Sequence, residues 1–549
     1  MGATRAEVTC NVGHSFRPDQ LEQCSPVDHG NVDIGHAKSP LVSNAISRDQ
    51  FCHRLGLQRL MNLRTSISHP LAIADLRVAP DMGRIGITFC PGKCQSNALT
   101  GVWKRDLALD LDAIADWGAA AVVTLIEDHE LEALNVPGIG KAVADRHMLW
   151  FHLPILDVAI PDRAFEARWL EAGKTLRSMI RNGFDVLIHC KGGLGRAGTI
   201  AARLLVELGW RPDEAVAGVR HVRPGAIETI AQEDHVHACH AVSEDAPERS
   251  SSAVTDRGLG ALLGLAVGDA LGTTVEFRKR DSFPRLATII GGGPFGLRPG
   301  EWTDDTAMAL ALADSLIALE GLDERDLMSR FVAWWRRGRY SCTGECFDIG
   351  ITTRDALSRF EQSGNPIAGS TSSRSAGNGS LMRLAPVVLS YVSDGVDATV
   401  DAARRQSATT HGAEACIEAC DHFSRLLYQA ITGELPSALL RPAGEQSNAD
   451  VSAVMEGSWR GKHRRDVRSS GYVIHSLEAA LWCVGRTGSF RDAVVLAANL
   501  GDDADTTAAI TGQLAGAIYG LEGIPPEWLT TLAWAERIEQ IGRRLLSGD

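Results

Sequence analysis

The 549-residue chain reads as a multidomain protein, an α/β unit followed by an all-α unit, and three observations predict it. Between about Ile67 and Ser243, short apolar runs fit for buried strands alternate with segments of helical spacing. A polar stretch with a proline and three consecutive serines comes next. Beyond it, long Ala- and Leu-rich helical segments dominate and strand-like runs almost vanish.

At about 150 residues per domain the length allows two to four domains and more than one buried core. Hydrophobic residues make up 44% and charged residues 22%, and 55 glycines with 21 prolines fall short of a collagenous or disordered bias. A net charge of −13 disfavours non-specific nucleic-acid binding and anionic membrane surfaces, while leaving room for a local basic pocket. No uncharged apolar run reaches 18 residues, since Asp269 and several glycines interrupt Gly260 to Val275, so no membrane span is expected. The start, MGATRAEVTCNVGHSF, lacks a signal-peptide core, and Ala6 stands where a myristoylation pattern wants Ser or Thr. The expected location is cytoplasmic. Twelve cysteines are then expected reduced, and the C-x3-C pairs Cys90/Cys94, Cys342/Cys346 and Cys416/Cys420 read as packing rather than zinc ligation, which favours C-x2-C spacing.

Taken in order, residues 1–56 are polar, rich in His, Asp, Ser and Asn, and show no sustained period, which predicts a poorly ordered extension. Residues 57–243 form the α/β unit: AAAVVTLIE and DVLIHC are strands, and LALDLDAIADWG, RAFEARWLEAGKTLRSMIRNG and AGTIAARLLVELG are helices. Residues 244–256 predict a solvated linker. Residues 257–549 are helical, through GALLGLAVGDALG, TAMALALADSLIALEG, VIHSLEAALWCVG and TTAAITGQLAGAIYG.

The first chemical site lies in DVLIHCKGGLGRAGTIAARLLVELG, a strand, a glycine-rich turn and a helix. Cys190 ends the strand and Arg196 follows six residues on. Gly192, Gly193 and Gly195 let successive N–H groups of Lys191, Gly192, Gly193, Leu194, Gly195 and Arg196 face one oxyanion, reinforced by the helix N-terminus. Such a cradle suits a phosphate. The same field would support Cys190 as the attacking thiolate, while the Arg196 fork would hold two equatorial oxygens.

Over roughly residues 60 to 240 this half resembles the dual-specificity branch of the protein tyrosine phosphatases, of kinase-associated phosphatase type, in GITFCPGK, WKRDL, LPILDVAIPD, HCKGGLGRAGT and RPGAIETIAQ. The resemblance implies Asp157 as the general acid, with Asp162 less favoured, and Gln232 as an aid to the hydrolytic water. It implies no cofactor for this domain. One departure stands out: the hydroxyl residue usual after the arginine is Ala197 here, which implies slow hydrolysis of the cysteinyl-phosphate unless Thr199 substitutes.

Two acidic clusters mark the second site. WTDDTAMAL places Thr303, Asp304 and Asp305 at a helix start, and GDDADTTAA places Asp503, Asp505 and Thr506 likewise. Either alone would read as helix capping. Two such clusters brought together would repel unless hard divalent cations sat between them, and all-oxygen ligation selects Mg²⁺ or Mn²⁺ over zinc.

From residue 257 to about 540 the chain resembles the ADP-ribosylglycohydrolases, in GALLGLAVGDALGTTVEF, WTDDTAMAL, FDIGITT, GNGSLMRLAPV, TTHGAEAC, GYVIHSLEAAL and GDDADTTAAITGQLAGAIYG. The resemblance implies an all-α fold with two metal ions held by Thr303, Asp304, Asp305, Asp503, Asp505 and Thr506, with Asp502 outside that set. It implies cleavage of the C1″ bond of ADP-ribose, the ions orienting the ribose hydroxyls and activating a water. Glu276 and Asp348 match acidic positions able to move the proton. Gly377, Asn378, Gly379 and Ser380 fit a turn approaching the diphosphate. His411 and His475 read equally as hydrogen-bonded core residues or as catalysts, and Tyr472 reads as a packing residue with adenine stacking as its alternative.

The chain is therefore expected to be a bifunctional hydrolase, acting on a phosphorylated substrate and on an ADP-ribosylated protein or small molecule. In the alternative reading, one domain is only an ADP-ribose or phosphate binding module. Arginine, serine, nucleic acid and small molecules all remain open as acceptors.

Overall fold

The computed structural model describes residues 63–98, 101–244, 247–441 and 448–548. The extension expected over residues 1–56 lies outside them. In the first part, strands β1 (Leu63–Arg64), β2 (Ala74–Arg77), β3 (Arg84–Phe89), β4 (Cys94–Ala98), β5 (Gly101–Lys104), β6 (Ala119–Thr124), β7 (Leu149–His152) and β8 (Asp185–Cys190) form two sheets. The larger has the order β2-β3-β8-β6-β7, with β2 antiparallel and the others parallel. Every residue of AAAVVT in β6 is buried, as a central parallel strand demands. β8 lies in the middle, so Cys190 emerges at the carboxyl ends of the parallel strands, where open α/β sheets bind ligands.

The second half is helical. Its first helix, Ser251–Gly272, begins inside the segment expected to be a linker. Ser250 caps it by accepting from the Ala253 N–H at 3.3 Å, so a serine run that reads as flexible in isolation starts a helix instead. Glu244, at the other end of that segment, pairs with Arg177 (3.2 Å) and Arg181 (2.9 Å). This helix passes the length and hydropathy test for a membrane span, yet 94% of its apolar window is buried inside the protein, so it is core.

Its partner is Ala504–Tyr519, and glycine makes the packing close. Gly260, Gly264, Gly268 and Gly272 recur every four residues along one face. A Cβ at Gly264 would lie 2.3 Å from the Gly512 carbonyl oxygen, and one at Gly268 would lie 2.2 Å from that of Ala508. Backbones pressed together in this way leave only the ends of the two helices free for chemistry. A third helix, Asp304–Ala318, brings the other acidic cluster to the same end. The two halves meet where Asn182 Nδ2 donates to the Gly485 carbonyl (3.2 Å) and Arg486 donates to that of Ala119 (3.0 Å).

Candidate active sites

At the end of β8 the chain turns through Lys191–Leu194 into the helix Gly195–Glu207. Gly193 has φ +69°, and a Cβ there would strike the Thr88 backbone at 2.5 Å, so the turn requires glycine. Its N–H points at the Cys190 sulfur, 3.2 Å away. Arg223 braces the outside of the turn through the carbonyls of Gly193 (2.9 Å) and Gly192 (3.1 Å).

Arg196 is held by a residue the sequence reading did not single out. Glu130 accepts two hydrogen bonds from its guanidinium, at 2.6 and 3.1 Å, and Ile155 O accepts a third. Burial works against the arginine's charge, but Glu130, Cys190 and Asp157 more than offset it and push its pKa up. No local pattern marks Glu130, which lies 66 residues away.

Asp157 and Asp162 separate cleanly. Asp157 Oδ1 lies 2.9 Å from Arg196 on an exposed loop, whereas Asp162 caps the helix Arg163–Arg181 through the Phe165 N–H at 2.8 Å. Gln232 is fully buried, and its amide is committed to the Val158 and Ala159 carbonyls (both 3.4 Å) and the Glu228 N–H (2.9 Å). It ties the Asp157 loop down and does not present its amide to a water. Thr199 is no stand-in for the missing hydroxyl: it donates to the Gly195 carbonyl at 2.8 Å, within its own helix.

In the helical half the two acidic clusters converge. Asp269, Asp305 and Asp505 present oxygens all within 4.8 Å of one another, and so do Glu276, Asp503 and Asp505. The trios share Asp505. Thr303 Oγ1 stands between Asp269 (2.9 Å), Asp305 (3.1 Å) and Asp505 (3.2 Å). Asp269 lies outside every predicted set, because GLAVGDALG presents it as a lone acid in an apolar helix. It accepts from the backbone and hydroxyl of both Thr303 and Thr306.

Burial, then repulsion among these carboxyls, pushes their pKa values up. Asp269 and Asp503 reach about 7 and Asp348 about 9; Asp304, Asp305 and Glu276 are raised strongly as well. Asp305 Oδ1 is buried with no hydrogen-bond partner. An orphaned acceptor amid crowded oxygens fits a hard divalent cation, and each cluster of three or more metal-capable side chains among the described residues is purely carboxylate.

A cavity of about 500 Å³ opens over this cluster, lined by Glu276, Asp304, Asp348, Asp503, Asp505 and Thr506 among others. Thr303 and Asp305 lie behind them, outside its wall. Glu276 Oε2 accepts from the N–H groups of Ala504 (2.6 Å) and Asp505 (3.1 Å), the start of a helix. Asn378 Nδ2 donates to Asp503 at 2.7 Å. Gly377, Asn378 and Gly379 line the cavity, but Ser380 does not. The chain turns inward after Gly379, and the fully buried Ser380 Oγ accepts from Ser407 at 2.8 Å.

His411 also lines the cavity, and burial drops its pKa to about 3, so it is neutral. His475 bonds Ser470 at 2.7 Å, and Tyr472 donates to Asp450 at 2.8 Å. Asp502 is exposed on the rim and belongs to neither trio. The aromatic surface at the cavity is instead Phe277, 65% exposed and linked through Phe295 to Phe347, with centroids 6.2 and 5.2 Å apart. Phe277, Asp348 and Asp502 all have φ near +60°, a concentration of backbone strain around one cavity.

Fold and sites together define a protein of two hydrolase-type domains, a cysteine-phosphatase unit and a helical unit built around carboxylates. A family model for ADP-ribosylglycohydrolase matches residues 250–549, and one for the Swiss Army Knife DSP-PTPase phosphatase domain matches residues 97–236. The chain belongs to the ADP-ribosylglycohydrolase family and carries a phosphatase domain ahead of that unit. It is 43% identical over 290 residues to ADP-ribosylarginine hydrolase Tri1 of Pseudomonas putida, covering 53% of this chain and 78% of that one. It is 35% identical over 283 residues to ADP-ribosyl-[dinitrogen reductase] glycohydrolase of Rhodospirillum rubrum, covering 51% and 91%. The phosphatase part is 31% identical over 158 residues to human cyclin-dependent kinase inhibitor 3, covering 27% and 73%.

Proposed function

We propose that the helical domain releases ADP-ribose from an ADP-ribosylated acceptor with two Mg²⁺ or Mn²⁺ ions, and that the N-terminal domain hydrolyses a phosphate monoester through Cys190. One observation carries the first activity: the trio Glu276, Asp503 and Asp505 lines a 500 Å³ cavity and shares Asp505 with a second trio, completed by Asp269 and Asp305 buried behind it. When bound, the ions supply the positive charge that lets these carboxylates stay ionised together and a Lewis acid for sugar hydroxyls. Asp269, Asp305, Asp503 and Asp505, with Asp304, Thr303 and Thr506, would hold them. Asn378 orients Asp503, and the Gly377–Gly379 turn on the cavity wall, whose two glycines lack side chains, lets the diphosphate come close. Glu276 and Asp348, both on the cavity wall, move the proton as the glycosidic bond breaks. The identity with an ADP-ribosylarginine hydrolase supports arginine as the acceptor.

In the N-terminal domain, Cys190 attacks phosphorus, Arg196 and the cradle hold the equatorial oxygens, without the Gly195 N–H, which donates to Glu228 at 2.8 Å, and Asp157 protonates the leaving oxygen. Ala197 and the internally bonded Thr199 favour a second reading of this domain, in which it binds phosphate tightly and turns it over slowly. A reducing, cytoplasmic location is the reading that sparse cysteines in a long chain favour.

A substrate panel assayed with and without Mg²⁺ tests both halves in the full chain. ADP-ribose release from an arginine-modified peptide requires Mg²⁺ and is lost in Asp304→Ala; metal-independent release, or release surviving that substitution, overturns the helical-domain reading. Aryl phosphate hydrolysis is metal-independent and is lost in Cys190→Ser; its survival overturns the nucleophile.

A further inference from the structure

We propose that a phosphate group, free or esterified, binds in a cavity of about 270 Å³ at the seam of the two domains, held by Arg464, Arg465 and Arg486. This cavity is separate from both active sites. Ala115, Asp116, Gly118 and Ala119 of the phosphatase unit form one wall, and the three arginines with His463 form the other.

The arginines are under-compensated. Arg486 is 6% exposed and has no carboxylate at ion-pair distance among the described residues. One of its NH groups donates to the Ala119 carbonyl at 3.0 Å, and the rings of Phe184 and Trp482 lie under the guanidinium at 5.8 and 5.1 Å. Its Nε is buried with no partner at all. Burial and the nearby Arg464 push its pKa down to about 10, so it stays charged at neutral pH. Arg464 repeats the pattern: its NH groups reach Asp281 (2.8 and 2.9 Å) and the Asn499 carbonyl (2.5 Å), and its Nε is buried without a partner. Arg465 is 67% exposed at the mouth, 3.9 Å from Asp116. Arg146, also in the wall, is neutralised by Asp112 at 2.8 Å.

Three arginines line one polar cavity together with Asp116 and Asp281; Asp281 pairs with Arg464 and Asp116 with Arg465, which leaves the buried Arg486 guanidinium without a carboxylate and calls for an anion. A phosphate meets the requirement: it supplies the missing negative charge and enough lone pairs for donors from several guanidinium forks at once. The cavity also has room for what the phosphate is esterified to. Because both domains build the walls, occupancy bears on how they hold together.

Calorimetric titration of the full chain tests this, in an Arg196→Ala background that silences the Cys190 cradle. Inorganic phosphate, ribose 5-phosphate and ADP-ribose are the three probes, distinguishing free phosphate, a monoester and a diphosphate as the source. At least one is expected to bind about tenfold or more weakly when Arg465→Gln or Arg486→Met is added. Arg465 is exposed, so its variant reads the site even where Arg486→Met fails to fold. If none of the three probes depends on either arginine, the proposal is overturned.

Discussion

Thr303 Oγ1 stands 3.2 Å from Oδ2 of Asp505, 202 positions further along the chain, with Asp269 at 2.9 Å and Asp305 at 3.1 Å on its other sides. One hydroxyl proton cannot satisfy three carboxylates. The arrangement is stable only if the carboxyls carry protons or share cations, and the first prediction follows from that choice.

In the metal-free chain Asp269 and Asp503 titrate near 7, against 3.8 for an unperturbed aspartate. The folded state therefore binds more protons than the unfolded one between these values. Their contribution favours folding below about pH 4 and is lost as pH rises through 7. Cations replace those protons, so Mg²⁺ is expected to raise Tm more at pH 8 than at pH 5 in scanning calorimetry. Equal shifts at the two pH values would contradict this account.

Asp305→Asn separates stability from function. Removing a buried carboxyl whose Oδ1 has no partner should leave the metal-free chain as stable or more stable, while metal affinity and ADP-ribose release collapse. Asn378→Ala, which frees Asp503 and also removes the bond to the buried Ser476 hydroxyl (2.9 Å), should cost about 10–100-fold in metal affinity. Metal titration followed by thermal melting measures both, and a destabilised Asp305→Asn that still binds metal would refute the assignment.

Gly264→Val should destabilise the helical domain by about 1–3 kcal/mol or more, since its Cβ would be driven to 2.3 Å from a carbonyl oxygen of the neighbouring helix. Denaturant unfolding reads this directly. Metal affinity is expected to fall with it, because the same two helices carry Asp269 and Asp505.

Ala197→Ser should restore a hydroxyl next to Arg196 and accelerate breakdown of the cysteinyl-phosphate about tenfold or more. Pre-steady-state assays should show a burst in the parent chain that shrinks in the variant. A parent chain without a burst would indicate that the second step is already fast.

Phe277→Ala is expected to raise KM for ADP-ribosylated peptide about tenfold with kcat little changed, since stacking a base on an exposed ring contributes roughly 1–3 kcal/mol. A change in kcat alone would place the ring outside the nucleotide subsite.

Wherever partners lie within a few residues, the sequence alone determined the outcome. The H-C-x5-R cradle, the strand before it and the helix after it follow from local turn geometry. The α/β-to-α change of regime follows from periodicity, whereas at the two acidic helix starts neither Thr303 nor Asp503 caps with its own side chain and the free N–H groups are taken by the distant Asp269 and Glu276. Tertiary structure decided everything that depends on long-range convergence. It chose Asp157 over Asp162 by turning one toward Arg196 and using the other as a cap. It recruited Glu130 and Asp269, and it turned Ser380 away from the cavity. The reason is geometric: these contacts depend on how closely packed elements approach, and in the helical half that distance is set by glycines whose role appears only when the facing backbone is in place.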